Sequence, residues 1–272
     1  MSVKQIIVLI AVLSVMVSLF SLNIHKAGKP ADNGHATKPV APVAANEDEI
    51  LKRAKTKLSP DQLQTITSLE KKSADITGFA EFNRLAEKWD EYKNPGLSGW
   101  YYYKAASLSP AIKTWLKAGD KLRVALVNQQ DSVATTAFFE KAVGAYQQVL
   151  KTDSGNLDAK TGMGVCYVSG SSNPMQGITL LLGVVSKDPG NVNANFNLGS
   201  FSMRSGQYDK AIGRFQNVVK TAPDGEAYFY LAQAFQNLNR KKEAVEAYRN
   251  ARKYIHDAET VSSIDHLIQQ LN

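Results

Sequence analysis

Residues 192–224 read VNANFNLGSFSMRSGQYDKAIGRFQNVVKTAPD, and residues 225–257 read GEAYFYLAQAFQNLNRKKEAVEAYRNARKYIHD. The two stretches carry one pattern twice, because equivalent residues stand 33 positions apart. The equivalent pairs are Leu198 and Leu231, Gly199 and Ala232, Ala211 and Ala244, Phe215 and Tyr248, and Val218 and Ala251. A fixed period near 34 residues, with small and aromatic residues at set places, predicts a repeat of two helices joined by a turn.

The small residues of this pattern explain how the two helices pack. Gly199 and Ala211 let the helix backbones approach closely, and Phe215 fills the gap that remains. Pro223 ends the second helix, because a proline ring cannot continue the hydrogen-bond ladder. One helix pair cannot cover its own apolar face, so pairs stack on one another. The pattern resembles the tetratricopeptide repeat (TPR) family, and the resemblance implies an all-α fold, a right-handed α-solenoid.

The period extends over most of the chain. We predict about five helix pairs in residues 79–257 and a capping helix in residues 258–272, where apolar residues recur at helical spacing. The repeats are expected at about 79–110, 112–155, 157–190, 192–224 and 225–257. Residues 47–78 precede them as N-terminal helices that match no repeat position, so they either cap the solenoid or form a stalk.

The second repeat is longer than the others. Gly119 and Ala142 stand 23 residues apart, whereas Gly199 and Ala211 stand 12 apart. The difference places an insertion of 11 residues near residues 127–135. Such an insertion forms either a loop on one face of the stack or an extension of the flanking helices.

The N-terminal segment predicts a membrane anchor. Residues 5–22 read QIIVLIAVLSVMVSLFSL, an uncharged run of 18 residues, which is just long enough to cross a bilayer as a helix. A cleaved signal peptide is the competing interpretation, but the run lacks a good small-x-small cleavage site. Residues 23–46 are rich in Ala, Pro and Lys and are expected to form a disordered linker.

Composition favours a binding protein over an enzyme. The formal net charge is +7, of which +3 lies in residues 1–46, so the folded part has no dense basic stripe and nucleic-acid binding is not expected. The four histidines are scattered, the single cysteine is Cys166, and no metal motif, nucleophile elbow or phosphate loop is present. We therefore predict no enzymatic activity and no cofactor, although an active site assembled from distant residues stays open as an alternative.

Resemblance to the TPR family places the binding surface in a concave groove lined by the first helices. In chaperone-binding members the fifth and ninth repeat positions hold the Lys, Asn and Arg that clamp a terminal carboxylate. This chain matches them only at Asn83, so chaperone-tail binding is not expected. The residues predicted to contact a partner are instead apolar or uncharged: Val165, Phe196, Ser200, Met203, Phe229, Gln233 and Gln236. Such a surface suits an amphipathic helix or an extended peptide.

Together these features predict a single-pass membrane protein with a TPR scaffold that binds a protein or peptide partner. The architecture resembles single-anchor repeat proteins of bacterial envelopes that serve envelope assembly or cytochrome maturation. The expected location is the bacterial inner membrane, with the C-terminal TPR domain in the periplasm. Two alternatives remain: a self-associating adaptor without a groove ligand, and an import-type receptor on an organelle surface.

Overall fold

The structure is a computed structural model that describes residues 47–75, 78–128 and 132–271. These residues form thirteen helices and no strand, so the all-α prediction is confirmed for them. The helices are α1 (Glu47–Lys55), α2 (Pro60–Asp75), α3 (Phe79–Glu91), α4 (Pro95–Leu108), α5 (Ile112–Asn128), α6 (Ser132–Thr152), α7 (Leu157–Gly170), α8 (Pro174–Lys187), α9 (Val192–Arg204), α10 (Tyr208–Thr221), α11 (Gly225–Asn237), α12 (Lys241–Tyr254) and α13 (Ala258–Leu271). They divide into an N-terminal unit, residues 47–187, and a C-terminal unit, residues 188–271.

Side-chain caps and tight turns set the helix boundaries. At the starts of α4, α7 and α9, an asparagine side chain accepts a hydrogen bond from the backbone amide three residues on; at α11 an aspartate does so. The capping residues are Asn94, Asn156, Asn191 and Asp224. Three equivalent turns, which follow α3, α9 and α11, need a left-handed residue. Gly206 (φ 71°) and Asn239 (φ 57°) suit that conformation, whereas Lys93 (φ 59°) is an unusual occupant.

The N-terminal unit contains three helix pairs, α3–α4, α5–α6 and α7–α8, which pack in sequence order. The first helices α5 and α7 of consecutive pairs also contact each other. The aromatic run at residues 100–103 lies in α4, where Trp100, Tyr101 and Tyr102 are buried. Their position shows that this run packs the core of the unit.

Helices α1 and α2 pack onto the first helix pair instead of projecting as a stalk. Ile66 of α2 is fully buried, and Glu70 accepts a hydrogen bond of 3.1 Å from the hydroxyl of Tyr101. Glu47 of α1 forms an ion pair with Lys104 of α4. The segment between the two helices carries a reciprocal capping box: the Ser59 amide donates to Gln62, and the Gln62 amide donates to the Ser59 hydroxyl.

The insertion in the second repeat lies largely in longer helices. Helix α5 has 17 residues and α6 has 21, whereas α9 has 13 and α10 has 14. Residues 129–131, between α5 and α6, lie outside the described residues.

The C-terminal unit contains the pairs α9–α10 and α11–α12, followed by α13. A Cβ atom at Gly199 would come within 2.8 Å of the Phe215 ring, which confirms that this glycine permits the close helix packing predicted from the pattern. Helix α13 packs against α12 and buries Ile264 completely, in keeping with a terminal capping helix.

The predicted anchor at residues 5–22 and the predicted linker at residues 23–46 lie outside the described residues. Among the helices of residues 47–75, 78–128 and 132–271, none combines the length and apolar character needed to span a membrane.

Candidate partner-binding face

Six of the seven predicted binding residues lie on two adjacent helices of the C-terminal unit. They occupy positions i, i+4 and i+7 of each helix, so each set of three shares one helix face. We call the surface formed by these six residues the C-terminal face: Phe196, Ser200 and Met203 on α9, and Phe229, Gln233 and Gln236 on α11. All six are half-buried, and α9 contacts α11 directly.

The seventh predicted residue, Val165, lies on α7 in the N-terminal unit and is only 3% exposed. It therefore has almost no side-chain surface to offer a ligand in this structure.

The two phenylalanines of the C-terminal face pack against other aromatic rings. The Phe196 ring lies edge-on to Phe215 and Tyr230, each at a centroid distance of 5.7 Å, and the last two rings are stacked at 5.4 Å. Phe229 lies edge-on to Tyr248 at 5.5 Å. Edge-on and offset contacts of this kind are favourable beyond the area they bury. The two phenylalanines of the face are thus held in fixed orientations while part of each ring remains accessible.

The polar side chains of the C-terminal face are only partly hydrogen-bonded within the protein. The Tyr248 hydroxyl donates a 2.8 Å hydrogen bond to Oε1 of Gln236, which fixes the orientation of that side-chain amide. The bond uses the oxygen of the amide and not its NH₂ group. The Ser200 hydroxyl is buried and has no hydrogen-bond partner among the described residues. Gln233 is half-buried, and its side chain supplies both a donor and an acceptor.

Two residues that the sequence analysis passed over flank the face. Tyr230 follows Phe229, and burial raises the pKa of its hydroxyl; Glu226 adds to this increase, whereas Arg204 opposes it. The guanidinium of Arg204 lies over the Phe201 ring at 4.6 Å, and burial lowers its pKa. The repeat pattern gives no signal for Tyr230, because the equivalent residue one repeat earlier is Asn197.

The first helices of the N-terminal unit present a different chemistry, with charges that neutralise one another. The Tyr146 hydroxyl donates to Asp120 Oδ1 at 2.8 Å and accepts from Arg123 Nε at 3.3 Å. Lys121 Nζ bonds Asp90 Oδ1 at 2.5 Å. Burial raises the pKa of Tyr146 well above its usual value, so this hydroxyl keeps its proton.

Tyr146 reaches Asp120 through a gap between two first helices that glycines create. A Cβ atom at Gly162 of α7 would lie 2.2 Å from the ring, and one at Gly119 of α5 would lie 2.8 Å from it. Gly162 therefore has a packing role, since its lack of a side chain makes room for a tyrosine from the preceding pair.

These observations define a class of fold: antiparallel helix pairs that pack through small residues. Residues 202–258, which run from the end of α9 to the start of α13, match the tetratricopeptide repeat family. The match indicates no catalytic family.

Among similar solved structures, two are described as TPR proteins. A TPR protein of Thermus thermophilus, TTC0263, is 14% identical over 71% of this chain and 98% of its own, with a TM-score of 0.50. YrrB, described as a TPR protein with an unusual peptide-binding site, is 16% identical over 73% of this chain and 97% of its own, with a TM-score of 0.43. MamA is 18% identical over 64% of this chain and 90% of its own, with a TM-score of 0.45. No curated protein sequence matches this chain.

Proposed function

We propose that this chain is a non-enzymatic scaffold that binds a segment of a protein partner on the C-terminal face. The observation that carries the proposal is the composition of that face. Two fixed, partly accessible phenylalanines and Met203 lie beside serine and glutamine side chains, and none of the six residues is charged. A few well-packed anchor residues, often aromatic, contribute most of the binding free energy at protein interfaces.

The chemistry of the face specifies the kind of segment it binds. An amphipathic helix or an extended peptide with apolar side chains at alternate or i+4 positions would cover the phenylalanines. The glutamines can satisfy backbone or uncharged polar groups of the segment, because each amide both donates and accepts. Since the face carries no charge, binding should depend only weakly on salt, in contrast to binding by ion pairs.

Affinity capture followed by measurement of the dissociation constant tests this proposal. The native protein is compared with Phe196→Asp/Phe229→Asp, which places two carboxylates in the half-buried face. The control Gln216→Asp/Gln269→Asp adds the same charge at exposed positions of α10 and α13 in the same unit. Circular dichroism verifies that both variants keep their helix content.

We expect the native protein and the control to capture the same partner and the face variant to lose it. Its affinity should be weaker by about 100-fold or more, since one buried aromatic anchor alone is worth about 2 kcal/mol or more. Equal capture by all three proteins would show that the partner binds elsewhere and would refute the assignment of the face.

We also propose that residues 5–22 anchor the chain in a bacterial inner membrane, with the described units on the periplasmic side. The uncharged run of 18 residues supports the anchor. Alkaline phosphatase fused after residue 272 is active only outside the cytoplasm, so activity is expected; a cytosolic fusion product would favour a receptor facing the cytosol. The captured partner would then decide between envelope assembly and cytochrome maturation.

A further inference from the structure

A pocket of about 310 Å³ lies in the N-terminal unit and involves none of the residues of the C-terminal face. It is enclosed by α1, the turn between α3 and α4, the end of α5 and the start of α6. Its volume is at the small end of the range of about 300–1,000 Å³ found for small-molecule sites. The pocket therefore has room for a small molecule but not for a folded segment of a partner.

The floor of the pocket is apolar and fixed. Ile50, Ala125 and Phe138 line it, and all three are buried. A Cβ atom at Gly96 would come within 2.4 Å of the Phe138 ring, so the ring lies directly against this part of the backbone. Trp100, one turn further along α4, lies edge-on to Phe138 at 6.4 Å. Phe138 therefore packs against one face of α4.

The rim of the pocket is cationic. Arg53, Lys57 and Lys93 line it, and Glu49 is the one carboxylate among the described lining residues. That carboxylate bonds Arg53 at 2.5 Å. Lys57 and Lys93 are exposed, and neither forms an ion pair with a carboxylate of residues 47–75, 78–128 or 132–271. The first turn of α4, capped by Asn94, adds the partial positive charge of a helix start.

Lys93 is also an independent indication of function. It occupies the left-handed turn position that Gly206 and Asn239 occupy in the two equivalent turns. A lysine there is less favourable than either of those residues, because its Cβ and side chain crowd the backbone. Non-glycine residues in sparsely populated backbone conformations cluster at ligand sites, so the position of Lys93 at the pocket rim supports a role for its side chain there.

We propose that this pocket binds a small amphipathic anion, a carboxylate or phosphate monoester with a short apolar tail. The acid group lies between the Lys57 and Lys93 ammonium groups, and the tail lies on Phe138 and Ile50.

Isothermal titration of the full chain tests the proposal, with every protein in the same non-ionic detergent. The probes are 4-phenylbutyrate, 4-phenylbutyl phosphate and the uncharged 4-phenylbutyramide; the first two distinguish a carboxylate from a phosphate ligand. Lys57→Gln/Lys93→Asn removes the rim charges. Lys71→Gln/Lys72→Gln removes the same charge from exposed positions of α2 and serves as the control.

We expect one saturable site for at least one anionic probe in the native protein and the control. The rim variant should bind that probe at least tenfold more weakly, and the amide should bind the native protein at least tenfold more weakly than the anion. Lys93→Asn alone should weaken binding while raising the melting temperature, which separates loss of the site from loss of the fold. The proposal would be overturned by equal binding of both double variants, or by the absence of saturable binding up to about 10 mM, a dissociation constant too weak to assign to a specific site.

Discussion

Replacement of Gly162 by alanine is expected to destabilise the N-terminal unit by about 2 kcal/mol, although alanine is the better helix former. In the middle of α7, alanine should gain about 0.8–1 kcal/mol over glycine from helix propensity. The new Cβ, however, would lie 2.2 Å from Cζ of Tyr146 and 2.4 Å from its hydroxyl oxygen. Overpacking of a tight core costs about 1–3 kcal/mol and sometimes more.

The Tyr146 ring has little room to move away from the new Cβ atom. Its ring is fully buried, and on the α5 side it already lies where a Cβ at Gly119 would be only 2.8 Å away. A shift of the ring would also break the 2.8 Å hydrogen bond to Asp120, at a further cost of about 1 kcal/mol. The penalty should therefore fall at the upper end of the overpacking range and exceed the gain in helix propensity.

Urea unfolding followed by tryptophan fluorescence measures this effect selectively. All three tryptophans, Trp89, Trp100 and Trp115, lie in the N-terminal unit, so their emission reports on that unit. The matched control is Gly183→Ala in α8, where a Cβ would meet nothing within 4 Å. The control should stabilise the unit by about 0.5–1 kcal/mol.

A double-mutant cycle isolates the contact. In a Tyr146→Ala background the space beside Gly162 is empty, so Gly162→Ala should become stabilising by about 0.8–1 kcal/mol. If Gly162→Ala stabilises the native protein as Gly183→Ala does, or costs the same in both backgrounds, the steric explanation is wrong.

Three further predictions concern other positions. Lys93→Asn should stabilise the N-terminal unit by about 0.5 kcal/mol in urea unfolding, because asparagine tolerates the left-handed turn better; a loss of stability would contradict the strain assigned to Lys93. Asn195→Ala should destabilise the C-terminal unit by about 1–3 kcal/mol, measured by unfolding followed by circular dichroism. The side-chain amide of Asn195 is fully buried; it donates to the Pro189 and Asn191 carbonyls at 2.9 Å and accepts from Arg214. A neutral result would show that these hydrogen bonds contribute little. Burial raises the pKa of the Cys166 thiol to about 12, so iodoacetamide at pH 8 should label it only after unfolding. The free energy of unfolding should fall as the pH rises from about 8.5, where the thiol of the unfolded chain ionises, toward 12. Rapid labelling of the native protein would disprove the burial of Cys166.

Contacts within one repeat could be predicted from the sequence, and contacts between repeats could not. The pairing of Gly199 with Phe215 follows from a pattern that recurs 33 residues later, and the structure confirms it. The pairing of Gly162 with Tyr146 has no counterpart elsewhere in the chain, so no periodicity reveals it. The sequence gives no signal for the role of Gly162, whereas the structure places it directly against the buried Tyr146 ring.

The candidate site also has a part that the sequence could predict and a part that it could not. Resemblance to the TPR family placed Phe196 and Phe229 in one groove, and helical spacing places each of them with two neighbours on one face of its own helix. The accessibility of each side chain depends on what packs over it, and this is where Val165 differs from the prediction, with 3% of its surface exposed. The pocket beside Lys93 was beyond sequence reasoning, since it depends on how α1 lies over the first two helix pairs.

The lengths of α5 and α6 suggest how such a repeat array can grow without losing its register. Relative to α9 and α10, α5 is longer by four residues and α6 by seven. Gly119 lies seven residues after the start of α5, as Gly199 does in α9, and Ala142 lies ten residues before the end of α6, as Ala211 does in α10. The added residues therefore lie at the facing ends of α5 and α6, outside the part of each helix that carries the repeat pattern. A helix pair of this kind can lengthen at its internal turn while its packing residues keep their spacing.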